Sequence, residues 1–233
     1  MVDGMEGQGV GYLGSKAASG AYQAIIALMP PHDTYLELFA GSGAVLARKP
    51  SARRSVAVDL DDTALATLPE ISGLERVRGD ALAFLAAFDW HGAGRALIYA
   101  DPPYLHETRT SRHRYAHEMN QAQHVALLAA LRAVPANVIL SGYPSPLYDD
   151  ALPGWNTREF QAMTRGGVRT EKLWFNFSPS AVHWASYAGN DFTDRQRIKR
   201  KAARWAANYK ALPAGERLAV LGALLATGAE ATP

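Results

Sequence analysis

The 233-residue chain is 48% apolar and 20% charged with a net charge of +2, a balance that suits one globular catalytic-size domain with a substantial core. It holds no cysteine, which excludes disulfide frameworks, cysteine-ligated zinc and thiol nucleophiles. No apolar run approaches ~18 residues and the Gly-rich start lacks a signal-length apolar stretch, so the expectation is a cytoplasmic protein that spans no membrane.

Ser19 to Met29 carries Tyr22, Ile25, Ile26 and Met29 at helical spacing, and Pro30-Pro31 ends it. Thr34 to Phe39 reads as a buried strand. The small-residue turn Ala40-Gly41-Ser42-Gly43 follows, then a short helix from Ala44. Ser55 to Asp59 is a second strand ending in a carboxylate, with Asp61 or Asp62 as the cap of the next helix. Leu74 to Arg78 is a third strand, closed by Gly79-Asp80, and Ala81 to Phe88 is helical. Ala96 to Tyr99 is a buried strand running into Asp101-Pro102-Pro103-Tyr104.

Asn120 and Gln123 resemble a capping box for a helix whose Val125, Leu128 and Leu131 share a face. Asn137 to Ser141 is a fifth strand. Thr157 to Ala162 and Glu171 to Phe177 flank Arg165-Gly166-Gly167 as a hairpin. Strands alternating with helices predict an α/β fold, a mostly parallel sheet with helices on both faces. Ligands of such sheets bind beyond the carboxyl ends of the strands, where the polar motifs of this chain cluster.

Two glycines after the first strand permit a tight turn and close approach of a ligand. The dinucleotide fingerprint wants a third small residue where this chain has Leu46, which argues against a nicotinamide cofactor. Asp59 stands where a carboxylate accepts hydrogen bonds from ribose hydroxyls, with a helix cap as the alternative. Asp80 is placed to meet an adenine ring or to serve the turn. Glu37, inside the first strand, needs a partner, either a ligand ammonium or Lys16. Together these features favour a cofactor that contains adenosine.

Asp101-Pro102-Pro103-Tyr104 is the most specific motif. Two prolines stiffen the backbone and leave carbonyls free as acceptors. The Asp101 carboxylate and the Pro102 carbonyl, aimed at the hydrogens of an exocyclic aromatic amine, would draw its nitrogen toward tetrahedral geometry. Its lone pair could then meet a methyl group carried by sulfonium. Tyr104 offers a face on which an extruded base could stack. The plain alternative is a stiff loop with Tyr104 as packing.

These motifs resemble those of the Dam-type amino-group DNA adenine methyltransferases, in particular the small phage-associated adenine methylases. The likeness rests on Tyr12-Leu13-Gly14-Ser15-Lys16, Leu38 to Gly43, Val58-Asp59, Gly79-Asp80 and Asp101 to Tyr104. Leu140-Ser141-Gly142-Tyr143 and Glu171 to Phe177 also look like family strands. The resemblance implies a Rossmann-like, seven-stranded S-adenosylmethionine-dependent methyltransferase sheet with a C-terminal hairpin. It implies cofactor contacts at Tyr12, Lys16, Asp59 and Asp101, to which Glu37, Phe39, Gly41, Gly43 and Asp80 are added. Asp101, Pro102 and Tyr104 become the catalytic residues, and double-stranded DNA with a flipped base the partner. Methylation of cytosine carbon proceeds through a cysteine adduct, which this chain cannot form.

Only 20 residues lie between Asp80 and Asp101, too few for the large target-recognition insert of Dam-type enzymes. A small segment, 105–120, with Arg109, Arg112, Arg114 and Tyr115, is the expected substitute, and it points to a short or relaxed target site. Arg165 and Arg169 at the hairpin are candidate phosphate contacts, as are Lys199, Arg200, Lys201 and Arg204. The latter lie in a stretch, Asp191 to Lys210, with seven Lys or Arg against two Asp. Residues 1–185 are expected to form the catalytic domain, with 186–233 a basic helical extension packed on it. His113 and His117, four apart, read as solvated or phosphate-facing rather than as metal ligands. Glutamine- and RNA-modifying relatives carry Asn at the position of Asp101. Adenine in DNA is therefore the first target and the cytosine amine the second, with a non-catalytic nucleic-acid binder as the reading from another class.

Overall fold

The structure, a computed structural model, describes residues 16, 21–105, 117–164, 167–179, 189 and 192–229. The chain divides into two compact units, 1–187 and 188–233. In the first, β1 (Thr34–Leu38), β2 (Arg54–Asp59), β3 (Leu74–Arg78), β4 (Ala96–Ala100) and β5 (Asn137–Gly142) join the hairpin β6 (Asn156–Thr164) and β7 (Gly167–Phe175). The sheet order is β3-β2-β1-β4-β5-β7-β6. Neighbours among β1 to β5 run parallel, while β7 is antiparallel to both β5 and β6. This is the seven-stranded sheet with a C-terminal hairpin that the motifs lead one to expect.

Alternation along each strand assigns residues to opposite faces. Tyr35, Ala57, Leu97, Tyr99, Ile139 and Leu173 pack with α1 (Ala21–Leu28) and Leu65 of α2 (Asp62–Ala66). Leu36, Val58, Ile98, Leu140 and Trp174 pack with α3 (Ala81–Ala87), α4 (Gln121–Ala133) and α5 (Pro146–Ala151) on the other. Every residue of β1 and β4 is buried, as central strands covered on both faces must be. The strand order reverses between β1 and β4, and there the carboxyl ends open a crevice.

Several local expectations need correction. No helix follows the glycine turn: 44–48 form successive turns, and Val45 and Leu46 sink into the core instead of continuing a spiral. Val125 is 47% exposed, and the buried stripe of α4 is His124, Leu127, Leu128 and Leu131. The capping box of Asn120 and Gln123 is present, and Asp61 rather than Asp62 caps α2. Helix α5, started by Pro146, has no counterpart in the sequence reading.

The second unit holds α6 (Phe192–Ala211) and α7 (Ala214–Ala229). Helix α6 has no buried residue; Trp205 and its basic side chains other than the half-buried Arg195 are exposed. Among the described residues, no helix is long and apolar enough to cross a membrane.

Candidate active site

The turn after β1 is tied by its backbone. Phe39 takes φ +60°, a region that side chains beyond glycine seldom enter, and Gly41 and Gly43 follow at +50° and +61°. The Gly41 amide donates to Asp59 Oδ2 at 2.8 Å and the Asp61 amide to Oδ1 at 2.9 Å. Asp59 therefore fastens the turn to the end of β2, and the helix-cap role that was its alternative belongs to Asp61, which accepts from the Thr63 amide. Asp80 does cap α3, accepting from the Ala83 amide at 2.9 Å.

At the end of β4, Asp101 is held from two sides. Lys16 Nζ donates to Oδ1 at 2.7 Å and to Oδ2 at 2.6 Å, and Ser141 Oγ lies 2.7 Å from Oδ1. Lys16 also donates to the Tyr104 hydroxyl at 2.6 Å and stands 3.7 Å from Glu171 Oε2. Burial opposes the charge on Lys16, but Asp101 and Glu171 outweigh it and hold the ammonium above the ordinary lysine range. Glu171 is pushed up by its own burial, with Lys16 pulling the other way.

Tyr104 is only 5% exposed. Its ring packs edge-on against Tyr143, centroids 4.5 Å apart. The face expected to receive a base is thus covered, and the half-buried Tyr143 stands outside it.

Glu37 does not meet Lys16. Its partner is the Tyr35 hydroxyl, and burial lifts its carboxyl to about 8. Lys49 lies 4.3 Å over the Tyr35 ring, and burial lowers its ammonium to about 8.

A cavity of about 250 Å³ opens across the ends of β1 to β4. Lys16, Glu37, Phe39, Gly41, Asp59, Asp80 and Asp101 line it, with Pro102 beside them. Gly43 is not on its wall: a Cβ there would come 2.4 Å from Leu68 Cδ2, so this glycine serves packing. Tyr12, Arg109, Arg112, Arg114, Tyr115, Arg165 and His113 lie outside the described residues. Arg169 is half-buried and donates to the Tyr143 hydroxyl at 3.2 Å. Lys199, Arg200, Lys201 and Arg204 are exposed on α6. Among the described residues no cluster of His, Asp or Glu is placed to hold a metal, and His117 lines the cavity.

Sequence reasoning quoted Ser141, Tyr143 and Glu171 only as strand residues. The available signal was a polar residue at an inward position of an otherwise apolar strand.

No protein-family model matches this chain, and no curated protein matches it. In architecture it is similar to TrmN from Thermus thermophilus, 21% identical with a TM-score of 0.45 over 69% of this chain and 50% of that one. It is similar to a SAM-dependent methyltransferase from Agrobacterium tumefaciens, 17% identical with a TM-score of 0.43 over 68% and 60%. The O-methyltransferase TomG from Streptomyces achromogenes, solved in complex with SAM, is 13% identical with a TM-score of 0.45 over 65% and 76%. The chain spans half and three fifths of the lengths of the first two.

Proposed function

We propose that this chain is a DNA methyltransferase that moves a methyl group from S-adenosylmethionine to the exocyclic amine of adenine. The observation that carries the reading is the state of Asp101 on the cavity wall. A carboxylate has about four acceptor positions. Lys16 and Ser141 take two on Oδ1 and Lys16 takes one on Oδ2, which leaves one, on a side chain still 17% exposed. That position suits one N–H of an amine.

The donor set fits the proposed cofactor and not a dinucleotide. The cavity wall carries six carboxyl groups, those of Glu37, Asp59, Asp61, Asp80, Asp101 and Glu118, against one lysine. A pyrophosphate would be repelled there, and no helix N-terminus follows the glycine turn to receive it. A ligand with an ammonium and a sulfonium is attracted. Glu37 is the group for the ammonium, Asp59 keeps a second lone pair on each oxygen for ribose hydroxyls, and Asp80 stands at the adenine end.

S-adenosylmethionine supplies an electrophilic methyl group. The chain's own task is to orient the amine and remove its proton. Asp101 accepts one amine N–H and the Pro102 carbonyl the other, so the nitrogen lone pair turns toward the methyl. With the donor bound, the N–C bond would form as the S–C bond breaks, and Asp101 would take the surplus proton and release it to solvent. Lys16 and Ser141 fix the carboxylate, which confines the reacting nitrogen to one approach. Tyr104 packs behind this corner, and Tyr143 with Arg169 forms its outer edge. Segment 105–120 is the proposed target-recognition element, and the basic face of α6 the proposed phosphate contact. The second unit is thereby a DNA-binding extension of the catalytic one.

The test is incubation with methyl-labelled cofactor and duplex DNA, in parallel with RNA, followed by nucleoside mass analysis. N6-methyladenine in DNA is the expected product. Label in RNA alone, or on cytosine, would reject the adenine-in-DNA reading.

A further inference from the structure

Four polar side chains stand on one face of the sheet where the parallel strands end. Glu37 pairs in register with Tyr99, and Tyr99 with Ile139, two residues before Ser141. Ser141 pairs with Leu173, two residues after Glu171. Residues two apart share a face, so Glu37, Tyr99, Ser141 and Glu171 form a row on the side that also packs α1. Tyr99 and Ser141 are joined at 3.0 Å, and Ser141 reaches Asp101.

Glu171, 6% exposed, closes this row. An ammonium has three N–H donors, and those of Lys16 are matched at 2.6–2.7 Å by the two Asp101 oxygens and the Tyr104 hydroxyl. Glu171 Oε2, at 3.7 Å from Nζ and 3.5 Å from the Tyr104 hydroxyl, is therefore a charge neighbour rather than a tight hydrogen-bond partner. Burying a carboxyl group whose donors, the Tyr104 hydroxyl and Lys16, stand at 3.5 and 3.7 Å is costly, and packing alone would be better served by an apolar residue. What a second acid does at this distance is electrostatic. It shares the Lys16 charge with Asp101, and its own charge opposes further negative charge on Asp101.

We propose that Glu171 is a positioning residue of the transfer site: it keeps Lys16 from fully neutralising Asp101, and so maintains the strength of the one Asp101 lone pair left for the amine. The proposal rests on the transfer reading above. Glu171 is faced by Lys16, by Asp101 and Tyr104 from the end of β4, and by Arg169, which shares its side of β7. Its ionisation is coupled to the charges of Lys16 and Asp101.

The coupling is read without any activity by titrating the intact chain labelled with 13C at glutamate carboxyls, the Glu171 signal being assigned by its loss in Glu171→Gln. Removing the like charge in Asp101→Asn is expected to lower the Glu171 midpoint, and removing the cation in Lys16→Met to raise it. A midpoint that stays in place in Asp101→Asn overturns the proposal. Circular dichroism on each variant separates unfolding from altered titration.

In the transfer assay, Glu171→Gln is expected to lower kcat about tenfold, the effect of roughly one pH unit of altered basicity, with cofactor KM nearly unchanged. The acid limb of the rate should move to lower pH in that variant, and return with Glu171→Asp. A lower rate with an unmoved limb makes Glu171 scaffold and rejects the role. Should the wild-type chain transfer no methyl group to any acceptor, the function fails while the titration still decides the coupling.

Discussion

Replacing Glu37 by Gln tests whether the cavity is prepared for a cation. The change keeps the shape and the bond from the Tyr35 hydroxyl, and removes a buried ionisable group. Burial raises the Glu37 carboxyl from an ordinary 4.5 to about 8, so between those values the folded chain binds a proton that the unfolded chain has released. Unfolding free energy then falls as pH rises through that window. At 1.36 kcal/mol per pH unit the whole interval amounts to roughly 5 kcal/mol, an upper bound because buried groups relax and admit water. Lys49, lowered to about 8, acts with opposite sign but only above that pH.

Urea unfolding at half-unit steps from pH 4.5 to 8 should therefore show wild type losing stability relative to Glu37→Gln by several kcal/mol. The comparison cancels groups common to both, His32 and Glu171 among them. Cofactor binding should supply the missing cation. Calorimetry in buffers of different ionisation enthalpy should detect proton release on binding near pH 7 by wild type and none by the variant. Parallel stability curves for the two proteins would refute the reasoning.

Asp101→Ala should abolish transfer while cofactor binding, measured by calorimetry, is weakened and still detectable; undiminished transfer would end the mechanism. Gly43→Ala should destabilise the chain by roughly 2–4 kcal/mol in urea unfolding. About 1–2 of that comes from forcing φ +61° on a side chain and the rest from driving Cβ onto buried Leu68. Exchanging Lys199, Arg200 and Lys201 for Gln should weaken DNA binding and reduce the slope of log K against log salt by about 2–3, and an unchanged slope would leave α6 without phosphate contacts.

The strands were legible because their signal is local. Thr34 to Leu38 and Ala96 to Ala100 are short apolar runs that stop at polar turns, and their limits hold within a residue. The stretch from Ala44 misled, because alanine, valine and leucine satisfy both helix propensity and core burial, and here burial of Val45 and Leu46 prevails. The corner Asp101 to Tyr104 stood out in the sequence as an acid and two prolines after a buried strand, and Asp101, Pro102 and Pro103 lie on the cavity wall. The side chains that contact Asp101 and Lys16 there did not stand out. Ser141 and Glu171 come from β5 and β7, 40 and 70 residues further along the chain, and no local pattern tells that the sheet order brings them beside Lys16. Tyr104 was expected to offer a face to a base, yet its ring is buried and packs against Tyr143, a contact no local pattern announces.

Charge is divided in a way that bears on how a nucleic acid could be the acceptor. Among the described residues the cavity wall carries six acids and one cation, Lys16, while Arg169 stands beside Tyr143 and an exposed basic series runs along α6 of the second unit. A polyanion cannot enter such a cavity with its phosphates, because each would meet carboxylates at short range in a medium less polar than water. A single uncharged base can enter, provided its backbone stays with the cations outside. The same acids favour a cationic donor, and their hold weakens once the methyl group has left and the sulfur is neutral. Under the proposed function, one distribution of charge would admit the base, retain the donor and loosen the spent product, and the base would have to leave the duplex to reach Asp101.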